Sequence, residues 1–198
     1  MVDIIELNRR SVQATVDLVA TIKPGDLDRP TPCAGWAVRD LLAHQIVQNH
    51  GFAFAASGAR SDLARWEPST VGDDPVEEYA ASARAVMDAF AADGVLDRGF
   101  YLPEIRDGGP FPAHMAIGFH FVDCVVHDWD FAKALGVPAN VDEDLAEAAL
   151  PVAAKVPDTP ETRGEGRAFV AGVPVADDAP ALDRVVALLG RSPGWSAS

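Results

Sequence analysis

The stretch Gly118-Phe119-His120-Phe121-Val122-Asp123-Cys124-Val125-Val126-His127-Asp128-Trp129-Asp130-Phe131 constrains the fold more than any other part of the chain. At 3.6 residues per turn it is a largely apolar helix. His120, Asp123 and His127 fall on one stripe of it, because offsets of three and four residues keep a face. A helix this apolar must be buried, and each unpaired polar group out of water costs roughly 1–3 kcal/mol. Two imidazoles and a carboxylate in such a setting need partners, and a bound divalent metal is one such partner.

The rest of the chain sets the bounds. Its 198 residues have room for one domain with a substantial core. A formal net charge of -14 argues against nucleic acid or an anionic membrane as partner, since both would repel the surface. The two cysteines, Cys33 in a loop and Cys124 in the apolar helix, make no disulfide framework. The N-terminus lacks the basic-then-apolar pattern of a signal peptide, and no run of about 18 apolar residues is present to span a bilayer. A cytoplasmic location is the default expectation.

Residues 2–22 carry Ile4, Ile5, Leu7, Val12, Val16, Leu18, Val19 and Ile22 at helical spacing, and Lys23-Pro24-Gly25 closes them. The Pro- and Gly-rich residues 28–36 read as a loop that delivers Trp36 to a second helix, 37–57, burying Val38, Leu41, Leu42, Ile46 and Phe52. On that helix Asp40, His44 and Gln48 share a face. Residues 58–74 lose all periodicity and read as a mobile connection anchored by Trp66. Asp74-Pro75 followed by Glu77 and Glu78 is a helix start with a mechanism: a side-chain acceptor, a proline whose missing N–H costs nothing, and acids near the positive helix end. That third helix runs to residue 92. Residues 96–112, broken by glycines and prolines, read as a second long loop. The fourth helix spans 112 or 113 to 135, with Gly136 as its stop. Four long helices joined by irregular loops indicate an all-α four-helix bundle. A short helix at 141–156, an edge strand or extended arm at 167–175 and a final helix at 181–189 then form a C-terminal extension. The expected organisation is a bundle over residues 1–138 with residues 139–198 packed on it, one domain in all.

Asp123 and His127, four apart, can close on one metal ion from adjacent turns. Equally, they can form an intrahelical polar pair worth a few tenths of a kcal/mol. His44, on another helix, reads as a hydrogen-bonded core histidine or as a third ligand. His120 fits a fourth ligand or, better, a donor to Asp123, because three ligands on one helix strain to reach one atom. Asp40, Gln48 and Asp130 can orient the far nitrogens of His44 and His127 or lie solvated on the surface. Cys124 reads as core filler, and Cys33 has no obvious base nearby. Phosphate-binding, hydrolase-elbow and C-x-x-C signatures are absent.

Thr31-Pro32-Cys33-Ala34-Gly35-Trp36-Ala37-Val38-Arg39-Asp40-Leu41-Leu42-Ala43-His44 resembles the opening of the second helix in the mycothiol-dependent maleylpyruvate isomerase family, of the DinB-like metal-binding superfamily. His127-Asp128-Trp129-Asp130-Phe131-Ala132 resembles that family's later helix, and residues 173–191 resemble the tail of an actinobacterial branch. The resemblance implies an up-down-down-up bundle holding a divalent metal, commonly zinc; the donor types themselves also suit nickel or iron. It carries the ligand roles onto His44, Asp123 and His127. The isomerase has Glu where Asp123 stands, and a separate C-terminal domain this chain is too short to hold in full. The resemblance further implies a metal-binding protein that uses a low-molecular-weight thiol of the mycothiol type, as transferase or isomerase through a metal-activated thiolate. The other reading is a non-catalytic bundle that binds a metal or small ligand. The expected partner is a small-molecule substrate, and a homodimer is left open.

Overall fold

The computed structural model describes residues 3–60, 62–105, 108–159, 163–164 and 169–197. Helix α1, Ile4–Val19, starts where the Asp3 carboxylate accepts a hydrogen bond from the Ile5 N–H at 3.0 Å. Its inward face is mixed, with Leu7, Val12, Leu18 and Val19 buried alongside Asn8, Ser11 and Thr15. Helix α2, Val38–Ala55, follows a loop pinned at Thr31, whose N–H and hydroxyl both donate to the Trp36 carbonyl. Ala37 has no side chain to cap it; instead Asp40 Oδ2 accepts the Ala37 N–H at 2.8 Å. Helix α3, Pro75–Phe90, begins as the sequence pattern predicts, with Asp74 Oδ1 accepting the Glu77 N–H at 3.1 Å. Helix α4, Ala113–Leu135, ends at Gly136, which takes φ +72°, a conformation that disfavours any Cβ.

Two connections are more ordered than their sequence suggests. Residues 58–74 contain a 3-10 turn, Leu63–Trp66, that seats Trp66 edge-on against Phe52 at 5.3 Å between ring centroids. Gly51 makes room for it, since a Cβ there would lie 2.7 Å from the indole. Residues 96–112 hold strands β1, Gly99–Phe100, and β2, Phe111–Pro112, paired antiparallel. Two-residue strands are too short to show an alternating pattern. Of the two readings of this range, an edge strand or an extended arm, the described residues 169–175 show no strand and run as an irregular arm tied by the Val173 N–H to the Ala187 carbonyl at 2.9 Å. Residues 167–168 of that range lie outside the described residues.

Helix α1 packs chiefly on α4 and α2 on α3, and contacts of α1 with α3 and α2 with α4 close the bundle. One core cluster fills its centre, including Val12, Leu41, Leu42, Tyr79, Val86, Phe90, Ile117 and Phe131. A second lies on the opposite side of α4, where Phe121, Val125, Val126 and Trp129 meet α5, Glu143–Ala153, and α6, Ala181–Leu188. Burial on both sides explains why α4 is apolar almost all round. Each fully buried Phe on it contributes about 1.5–3 kcal/mol. Among the described residues no helix is long and apolar enough to cross a membrane.

Candidate metal centre

The contact between α2 and α4 brings His44 over Asp123 and His127. His127 Nε2 lies 3.3 Å and His44 Nε2 3.9 Å from the same oxygen, Asp123 Oδ1. The two imidazoles meet nearly edge to face with centroids 5.0 Å apart, and Trp36 covers His44 at 5.1 Å. One ligand-type atom from each of the three residues falls within 4.8 Å of the others. The cluster is deep on one side and open on the other: the His127 side chain is 5% exposed, those of His44 and Asp123 19% and 21%.

Neighbouring groups fix which atoms face inward. Gln45 Nε2 donates to Asp123 Oδ2 at 2.6 Å and so leaves Oδ1 for the cluster. His127 pairs through Nδ1 with Asp130 Oδ2 at 2.9 Å, which directs the Nε2 lone pair of the neutral ring toward Asp123 and His44. Asp130 is fully buried and is held by Arg191, whose Nη2 donates to Oδ2 at 3.0 Å and Nε to Oδ1 at 3.4 Å. The Cys33 thiol also donates to Asp130 Oδ2, at 3.2 Å, and accepts from Arg191 Nη2 at 3.2 Å.

The charges are strongly linked. Burial opposes ionisation of Asp123, yet His127 and His44 beside it hold the carboxyl well below the usual carboxylate range. Burial also opposes protonation of His127, but Asp123 and Asp130 hold its pKa well above that of a free imidazole. Two imidazole nitrogens and one carboxylate oxygen, converging from two helices with a solvent-facing side left open, match the donor set and open position of a three-ligand zinc-type site.

Other residues singled out by the sequence land elsewhere. His120 does not reach Asp123; its Nδ1 accepts from Asn8 Nδ2 at 2.7 Å and its Nε2 donates to Asn49 Oδ1 at 3.0 Å. The reading of His120 as donor to Asp123 is therefore corrected: α1 and α2 supply it with amide partners that the helix pattern of α4 cannot reveal. Asp40 is exposed and accepts the Ala37 N–H at the start of α2. Gln48 stays on the His44 face but turns its Nε2 to Glu104 Oε2 at 2.8 Å. Asp130 lies behind His127 rather than on the surface. Cys33, which has no obvious base in its own loop, shares Asp130 and Arg191 and lies close to His127. The sequence pattern does not single out Gln45, Glu104 or Arg191. Gln45 follows His44 directly and is buried, so its position in the chain is a signal. Nothing local marks Arg191, which lies 61 residues from Asp130.

The family model described as Mycothiol maleylpyruvate isomerase N-terminal domain matches residues 9–132. The chain belongs to that family. In this mycothiol maleylpyruvate isomerase N-terminal domain family member, the match takes in His44, Asp123, His127 and Asp130, while Arg191 lies outside it. Two relatives are the Uncharacterized protein MT0763 and the Uncharacterized protein Rv0738 of Mycobacterium tuberculosis, from strains CDC 1551 / Oshkosh and ATCC 25618 / H37Rv. Each is 30% identical over 190 residues, covering 93% of this chain and 96% of the relative. The crystal structure of a histidine-to-alanine mutant of the mycothiol-dependent maleylpyruvate isomerase superposes with a TM-score of 0.61 at 16% identity, covering 98% of this chain and 81% of that one. That likeness establishes the fold, the DinB-like bundle of the isomerase.

Proposed function

We propose that this protein binds a divalent cation, with zinc the best fit, through His44, Asp123 and His127. With it, the protein uses a low-molecular-weight thiol of the mycothiol type to isomerise or transfer onto a small electrophile. The observation that carries this reading is the convergence of three donor atoms on an open-sided pocket, with the far side of two of the donor groups already occupied: Gln45 on Asp123 and Asp130 on His127. Family membership supports a thiol-dependent reaction of the isomerase type. When bound there, the cation supplies Lewis acidity that favours ionisation of a thiol at neutral pH.

The chain's own residues do the rest. His44 and Asp123 stand at the opening and define the direction of approach. Asp130, held by Arg191, keeps His127 in the tautomer that presents Nε2 to the pocket. Trp36 and the buried walls of α2 and α4 limit water around the donors and strengthen electrostatic effects inside. Titration of the metal-free protein with zinc tests the reading: it predicts one equivalent bound with at least micromolar affinity, lost on His44→Ala. Binding no tighter than millimolar would contradict it.

A further inference from the structure

One carboxylate outside the donor set is tied by a hydrogen bond to the face of α2 that carries His44. Glu104 sits on the segment between β1 and β2, exposed on its outer side, with Oε2 turned inward to accept the Gln48 Nε2–H at 2.8 Å. Gln48 is buried one turn beyond His44 on the same face of α2, so the carboxylate is anchored next to the donors. It is not one of the atoms that converge within 4.8 Å. Beside it, the Leu102 N–H donates to the Gly108 carbonyl and the Ile105 N–H to the Leu102 carbonyl, both at 2.9 Å.

We propose that Glu104 is the proton acceptor of this site, taking the S–H proton from a thiol that enters across His44 and Asp123. The inference rests on the proposed thiol chemistry and deepens it. In the step, the S–H bond breaks, the proton passes to a Glu104 oxygen directly or through one water, and the sulfur keeps the electron pair; departure of the thiol reverses it. Among the described residues, the charged or titratable groups that bear on Glu104 are His44 of α2 and Asp123 of α4. Partial burial raises its pKa above the ordinary carboxyl value, Gln48 and His44 act to lower it, and Asp123 adds to the rise. The net shift brings the group nearer to neutral pH, where a base that must both accept and release a proton works best. Asp130 cannot serve, since it is fully buried behind His127 and engaged by Arg191.

The test uses the full chain loaded with cobalt(II) and mixed rapidly with 2-mercaptoethanol, following the near-ultraviolet sulfur-to-cobalt absorption as it grows. The visible cobalt bands report the ligand set separately. Glu104→Gln is expected to keep the visible bands but to slow growth of the sulfur band by at least about tenfold at neutral pH. Added carboxylate buffer should restore the rate in this variant and leave the unsubstituted protein unaffected, whereas Glu104→Asp should retain most of it. Equal rates in Glu104→Gln and the unsubstituted protein would overturn the role of Glu104 while leaving the thiol reading intact. Altered visible bands would overturn it too, by placing Glu104 among the ligands. A cobalt-loaded, unsubstituted protein that gives no sulfur band would remove the thiol reading beneath it.

Discussion

His120 and His127 stand two turns apart on the same stripe of α4, both buried, and are driven in opposite directions. His120 meets the amides of Asn8 and Asn49 and the rings of Phe52 and Phe90. Burial pushes its pKa down to about 4, with only a distant push upward from Asp123. His127 meets the carboxylates of Asp123 and Asp130, which hold its pKa well above that of a free imidazole despite equal burial. Amides satisfy both nitrogens of an imidazole without supplying charge, so His120 pins three helices together. Carboxylates supply the charge that a cation site needs. The groups around each ring, amides from α1 and α2 at His120 and carboxylates of α4 itself at His127, separate a core histidine from a candidate ligand on the same stripe.

The contrast breaks most easily at the ligands. Replacing His127 or Asp123 with Ala should lower zinc affinity by more than about 100-fold, beyond the range found for groups that only orient a ligand. His120→Asn should leave affinity within about threefold, as measured by competition with a chromogenic chelator. If His120→Asn costs as much as His127→Ala, the two histidines do not differ in role.

The next effect is on stability. His120→Ala takes the ring nitrogens away from Asn8 Nδ2 and Asn49 Oδ1 and should cost roughly 1–3 kcal/mol in urea unfolding. The pH dependence has a definite sign. Unfolded His120 titrates near 6.5 and folded His120 near 4, so between those values the unfolded state holds more protons and acid favours it. The contribution of His120 is complete above pH 6.5 and is lost as pH falls toward 4. His120→Gln should therefore flatten the acid limb of the stability curve relative to the unsubstituted protein. An unchanged limb would show that the imidazole is not buried neutral.

Asp130→Asn sharpens the contrast from behind the ligand. It keeps the shape but removes the charge that orients His127 and neutralises Arg191, and should lower zinc affinity by about 10- to 100-fold. A matched melting curve separates this from unfolding. The smallest effect is a control far from both histidines: Asp74→Ala removes the cap of α3 and should cost about 1 kcal/mol with zinc affinity unchanged.

How far the sequence can be read depends on the range of each interaction. Helices α1 to α4 are legible because their signals are local: spacing of apolar residues, the Asp74-Pro75 start and the Gly136 stop lie within a few residues of what they specify. The β1–β2 pair is not, because two residues per strand leave no period to detect. At the candidate site, the Asp123 and His127 spacing is legible as a pair that can meet on one face. The approach of His44 depends on resemblance, since no periodicity measures the distance between two helices. The misreading of His120 and the omission of Arg191 share a cause: their partners lie 71 and 112 residues away for one and 61 residues away for the other.

X-ray absorption at the zinc edge of the reconstituted protein tests the central claim most directly. The account predicts one zinc with two imidazole nitrogens and a carboxylate oxygen at about 2.0–2.2 Å and no protein sulfur, a pattern that loses one imidazole in His44→Ala. A sulfur shell at about 2.3 Å would instead place the ion with Cys33, Asp130 and His127, the other convergent donor group. Either that shell or the absence of bound zinc would contradict the account.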